Sequence, residues 1–143
     1  MQETGVPNET YEKYQQAGTV LQDVLETGAE LIEPGVSHLE VAETLEAQIY
    51  EDADGCAFPV NISVNEEASH ATPAADSSET FDDEMVCLDC GVHVDGYIAD
   101  AATTVDLSGN SALVDAAQEA LDAALELVGP GVPTGRLGEA VEE

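Results

Sequence analysis

Asp89 and Asp100 are the residues whose type and spacing point most directly to chemistry. They lie on two alternating runs, Met85–Val94 and Tyr97–Val105, on either side of Asp95-Gly96. That dipeptide suits a two-residue type I′ turn, so the two runs read as a β-hairpin. Such a turn pairs Val94 with Tyr97, Gly91 with Asp100 and Asp89 with Ala102. One face then carries Val86, Leu88, Cys90, Val92, Val94, Tyr97, Ala99 and Val105, which is a core face. The other carries Asp89, Gly91, His93, Asp100 and Ala102. Asp89 and Asp100 become diagonal neighbours, with Cα atoms about 7–8 Å apart.

Two carboxylates this close repel each other unless a cation lies between them. The chain offers only two basic residues, Lys13 and Arg136, both remote in sequence. A divalent metal is the natural counter-charge, with carboxylate oxygens at about 2.0–2.2 Å in the case of zinc. With 31 acidic residues in 143, however, spacing alone does not separate a metal-binding pair from a solvated one.

The formal net charge is -29. A surface this acidic repels nucleic acid and anionic membranes, so neither is expected as a partner. The acids are spread along a chain that is 43% hydrophobic, too apolar for a disordered acidic segment. At this length one domain can bury roughly 68–70% of its unfolded surface. A folded, uniformly acidic protein suits molar salt, where the Debye length shrinks to about 3 Å. A halophilic, cytoplasmic protein is therefore expected, and full folding in dilute buffer would speak against it. Met1–Thr10 holds acids and no apolar run, so no secretory signal is read there. No stretch approaches the ~20 apolar residues of a membrane span.

Cys87-x-x-Cys90 has the outward form of a zinc or redox motif. On a strand, residues three apart point to opposite faces, so these two thiols cannot grip one ion. Cys90 reads as a core residue and Cys87 as a neighbour of Asp89. With Cys56 the count is odd, which fits a reducing compartment.

The elements that must position the hairpin follow from apolar periodicity. A helix is expected over about Thr10–Glu33. A second helix opens at Ser37-His38-Leu39-Glu40, which reads as a capping box. The acidic turn Glu51–Gly55 ends it. Phe58–Val64 reads as a short strand with Pro59 near its start, and Asn65–Asp83 as a polar loop. After the hairpin, a third helix covers about Ser111–Val128 and stops at Gly129-Pro130. Leu31–Ser37 and Leu127–Thr134 share a helix, Pro-Gly-Val turn and helix-start pattern about 96 residues apart, a spacing read off the sequence. Two αβ repeats are thus expected, the first over about 10–107 and the start of a second over about 111–143. The bland alternative is chance recurrence of a common turn. One and a half repeats would leave an open sheet edge, and the chain reads as truncated.

The stretch Ala57–Asn65, the loop Ala68-Ser69-His70-Ala71-Thr72-Pro73 and the Asp89/Asp100 hairpin together resemble the type 2 methionine aminopeptidases. These belong to the pita-bread metallopeptidases, a group that also holds proline dipeptidases. The resemblance covers nearly the whole chain and is densest from Phe58 to Val105. It implies an α+β pita-bread fold, of which this chain is the N-terminal half, with an antiparallel hairpin sheet packed on helices.

It further implies a hydrolase that removes the N-terminal methionine of nascent polypeptides. Two divalent ions (Co, Mn, Fe or Zn) would be cofactors, with Asp89 and Asp100 as two of their ligands. His70 is implied as the catalytic, substrate-contacting histidine, and Phe58 and Ile62 as walls of the methionine pocket. Taken alone, His70 reads as a solvated loop residue, His93 as a hairpin surface residue and His38 as a solvated residue of a first helical turn. No residue matches the family's remaining histidine and two glutamates. Three readings therefore stand beside one another. The chain is an aminopeptidase, or an inactive half-domain that needs a separate C-terminal half or self-associates through its open edge, or a noncatalytic paralogue that binds nascent chains or ribosomes.

Overall fold

The computed structural model describes Gly5 and residues 7–142. Of the Met1–Thr10 stretch considered above for a leader, Met1–Thr4 and Val6 lie outside the described residues. Four helices and four strands follow in the order α1 (Asn8–Leu31), α2 (His38–Asp52), β1 (Gly55–Cys56), β2 (Asn61–Val64), β3 (Met85–Val94), β4 (Tyr97–Asp106), α3 (Ser111–Leu127) and α4 (Thr134–Glu142). No described helix is long and apolar enough to cross a membrane. The chain divides into two compact units, one ending at Ser108 and the other beginning at Gly109.

In the first unit, β3 is the middle strand of an antiparallel sheet. β4 runs along one side of it over ten consecutive pairs, while β1 and β2 share the other side in succession. The β3–β4 register is the expected one: Val94 faces Tyr97, Gly91 faces Asp100 and Asp89 faces Ala102. Asp95 and Gly96 both have positive φ, 50° and 79°, as a type I′ turn requires. Lys13 on α1 ties down this turn. Its Nζ donates to Asp95 Oδ2 at 2.6 Å and lies 5.4 Å from the centre of the Tyr97 ring.

α1 packs across β3 and β4, and α2 against β1 and β2. The apolar stripe of α1 is Ala17, Val20, Leu21 and Val24, continued by Gly28 one turn further on. At Gly28 a Cβ would run into Leu88 of β3 and Leu45 of α2, so the missing side chain sets how closely helix and sheet approach. Val86, Leu88, Cys90 and Val92 project from β3 into this layer and are fully buried. α2 starts on Ser37, whose hydroxyl accepts the Glu40 amide at 3.4 Å, the cap read from sequence.

Several expectations are corrected. The strand expected over Phe58–Val64 is formed only from Asn61, and Gly55, read as the end of a turn, forms with Cys56 a short strand against His93 and Val92. The Asn65–Asp83 segment is not wholly polar loop. Residues 79–81 fold back along 35–38, with Phe81 N donating to Val36 O at 3.0 Å and His38 N to Glu79 O at 3.1 Å. This brings Phe81 into the core and stacks His38 on it with ring centres 4.2 Å apart, so His38 is buried rather than solvated. His93 likewise is half-buried beside Gly55, with its Nδ1 enclosed and unpaired, because β1 lies against it.

In the second unit α3 and α4 pack on each other, and no residue of either helix is buried. α3 begins at Ser111 as expected.

Candidate metal centre

Alternation along the strands assigns each side chain to a face of the sheet. Leu88 and Cys90 point to the helices, so Asp89 points to the other side. Across β4 the partner of Gly91 is Asp100, which projects to that same side. Across β2 the partner of Asp89 is Asn61, while Ile62 faces Leu88. Asp89, Asp100 and Asn61 therefore meet on one face, and they line one cavity of about 470 Å³ with Phe58, Pro59, His70 and Thr72.

Phe58 reaches the cavity from the link between β1 and β2, with its ring over Gly91; a Cβ on Gly91 would collide with it. His70 and Thr72 come from the loop after β2. Ile62 N donates to Ala71 O at 2.7 Å, and Thr72 Oγ1 donates to Val60 O at 2.9 Å, which lays this loop alongside the strand. His70 itself has a left-handed backbone, φ 64°. Non-glycine residues rarely hold that conformation, and they cluster at functional sites when they do. From α2, Glu46 Oε1 accepts the Val60 amide at 3.1 Å and fixes the start of β2.

Asp89 is half-buried, and its carboxyl is held above the ordinary carboxylate range. Burial is the main cause and the negative charge of Asp100 the second, while Asn61 and His70 oppose them. A cation beside the two carboxylates would favour their ionised forms. Among the described residues no group of three His, Cys, Asp or Glu side chains is placed to hold a metal. A catalytic ion commonly takes three protein ligands, so Asp89 and Asp100 fit part of a metal site rather than a whole one.

Of the residues singled out from sequence, Phe58, His70, Asp89 and Asp100 come together in this cavity. Ile62 does not. Strand alternation turns it into the core opposite Leu88, and the side of it that meets a cavity faces a separate one beside His38. Cys87 lies on the site face as expected, half-buried, and Cys90 on the core face. Asn61 was the residue missed. Its place inside an apolar strand was the available signal, since asparagine is depleted from strands unless its side chain has work there.

The chain is similar to known proteins over almost all its length. It is 48% identical over 137 residues to a methionine aminopeptidase of Archaeoglobus fulgidus, covering 95% of this chain and 47% of that protein. With the methionine aminopeptidase of Methanocaldococcus jannaschii it shares 47% identity, again over 94% of this chain and 47% of the relative. It thus spans about half the length of these curated relatives. Among solved structures, prolidase from Pyrococcus furiosus superposes with a TM-score of 0.84 at 21% identity, over 94% of this chain and 42% of that one. Methionine aminopeptidase from Thermotoga maritima does so at 0.82 and 23%, over 94% and 59%. These likenesses establish the fold as the α+β pita-bread class, with an antiparallel sheet packed on helices. The sequence pattern of metallopeptidase family M24 matches residues 12–143, and the chain belongs to that family.

Proposed function

We propose that the chain supplies the first αβ half of a type 2 methionine aminopeptidase catalytic domain, which removes the N-terminal methionine of nascent polypeptides. The observation that carries this reading is the meeting of Asp89, Asp100, His70 and Phe58 around one cavity. The names of the relatives from Archaeoglobus fulgidus and Methanocaldococcus jannaschii give the substrate class.

In this reading Asp89 and Asp100 hold divalent metal, in a site completed to two ions (Co, Mn, Fe or Zn) by ligands from elsewhere. Bound metal supplies electrophilic activation of the scissile carbonyl and of water. The chain's own residues supply the rest. Phe58 gives the methionine side chain an apolar wall, and His70, held over the cavity by its left-handed backbone, contacts the substrate near the scissile bond. The repeats over about 10–107 and from about 111 belong to the same proposal, as does residence in a salt-rich cytoplasm. No role with nucleic acid or membrane is assigned.

Release of methionine from a Met-Ala-Ser peptide with cobalt or manganese in high salt tests the activity. Turnover that Asp100→Ala leaves untouched would refute the assignment.

The two-carboxylate donor set favours a second reading for the chain by itself: a half-domain whose turnover waits on a separate C-terminal half. The outer edge of β4, paired on one side only among the described residues, is where such a partner or a second copy would add. Activity gained on mixing with the remaining half of a relative supports this, and a monomer by light scattering that is fully active alone excludes it.

A further inference from the structure

We propose that Asn61 is a positioning residue for the metal-binding carboxylate of Asp89, its carboxamide holding that carboxylate in the orientation from which it faces an ion. This rests on the reading of Asp89 as a metal ligand given above.

The register puts Asn61 directly across from Asp89 on adjacent strands. Side chains so paired project to the same face with Cβ atoms about 4.5–5.5 Å apart, within reach of a carboxamide–carboxylate hydrogen bond. Asn61 is only 7% exposed, and it lies between Val60 and Ile62, both buried. A primary amide so enclosed costs stability unless its donors find acceptors. The carboxylate of Asp89, the register partner of Asn61 on the neighbouring strand, is such an acceptor. Both residues line the same cavity, so the contact lies at the site rather than behind it.

The choice of donor also suits the task. A carboxamide N–H favours the ionised form of the acid that it contacts, and a metal ligand must be ionised. Asn61 carries no charge, so it orients the carboxylate without competing with the ion as lysine would. It cannot be replaced in this by Ser63, which shares its strand and face but stands opposite Cys87. Partners of this kind commonly contribute about 10–100-fold to metal affinity.

The experiment is a Mn2+ titration of the whole chain in 1 M KCl, followed by paramagnetic broadening of the backbone amide signals of residues 87–102. The readout is local, so diffuse binding to the acidic surface does not mimic it. Wild type, Asn61→Ala and Ser63→Ala are compared, with thermal melts of the metal-free proteins recorded alongside. The expected result is a loss of about 10-fold or more in apparent affinity for Asn61→Ala, and wild-type affinity for Ser63→Ala. If Asn61→Ala does not fold, Asn61→Thr, which keeps a hydroxyl donor in a strand-forming residue, is read instead and is expected to fall between. Equal affinity of wild type and the Asn61 variant would overturn the inference while leaving the metal site standing. Equal losses in both variants would overturn it too, by showing a strand-wide effect. Absence of local broadening in wild type would defeat the metal-site reading itself, and the inference with it.

Discussion

The ring of Phe58 lies over Gly91, in the space that a side chain at position 91 would fill. Gly91 in turn stands opposite Asp100, so an aromatic wall and a carboxylate are brought together by one missing Cβ. Gly91→Ala is expected to drive the Phe58 ring out of place and to cost about 1–3 kcal/mol through overpacking. Denaturant titration measures the stability. A variant as stable as wild type, with an unchanged Phe58 environment by NMR, would show that the contact is not tight.

Asp100→Asn is expected to stabilise the metal-free chain near neutral pH. Burial and the charge of Asp100 raise the Asp89 carboxyl, so its contribution is complete below the ordinary carboxylate value and is lost as pH rises through the raised one. Removing the neighbouring charge recovers part of that loss, about 0.5 kcal/mol or less after solvent screening. Thermal melts in chelator at pH 3 and pH 7 should show the variant's advantage only at the higher pH. The same substitution should weaken divalent-metal binding, so metal and charge removal act in opposite directions on the two proteins.

Cys90 makes a prediction at the alkaline end. Burial, helped by the charge of Asp89, pushes its thiol up to about 12 from an ordinary value of 9.0. The unfolded chain ionises first as pH climbs, so stability is intact below 9.0 and drains away between there and the raised value. The urea midpoint of wild type should therefore fall more steeply between pH 9 and 11 than that of Cys90→Ala. Parallel decline in the two proteins would assign the loss to other groups.

At His70 the left-handed backbone is tolerated at a cost of order 1 kcal/mol. His70→Gly should raise stability by up to about that amount and His70→Ala should not, although both remove the imidazole. If methionine release is measurable, both variants should be impaired alike. A glycine variant less stable than the alanine variant would mean that the backbone there is not strained.

How much of this was legible in the sequence depends on how local the determining interaction is. The hairpin was readable to within one residue because Asp95-Gly96 fixes the turn and period-two alternation then fixes every pair up to Val86 and Val105, one short of the observed last pair, Met85 and Asp106. The three longer helices were readable to within a few residues from apolar spacing and from the Ser37 cap. Phe81 and His38 were not, because their burial depends on residues 79–81 folding back onto 35–38, a pairing that no local pattern announces. Ile62 was misplaced for a related reason. Its face is settled by whether Asn61 or Ile62 lies across from Asp89, and that register needs the partner strand. Of the site, the meeting of the two aspartates on one face followed from spacing, their reading as ligands came with His70 and Phe58 from the family resemblance, and Asn61 emerged only from the packed sheet.

The unbroken ladder between β3 and β4 carries one more consequence. With no bulge among its ten pairs, the gap between the two acids is dictated by the regular pitch of neighbouring strands, and no flexible connection must be gathered in before a cation can dock. The entropy of arranging these two carboxylates is therefore spent during folding, so their share of a metal site would stand preformed.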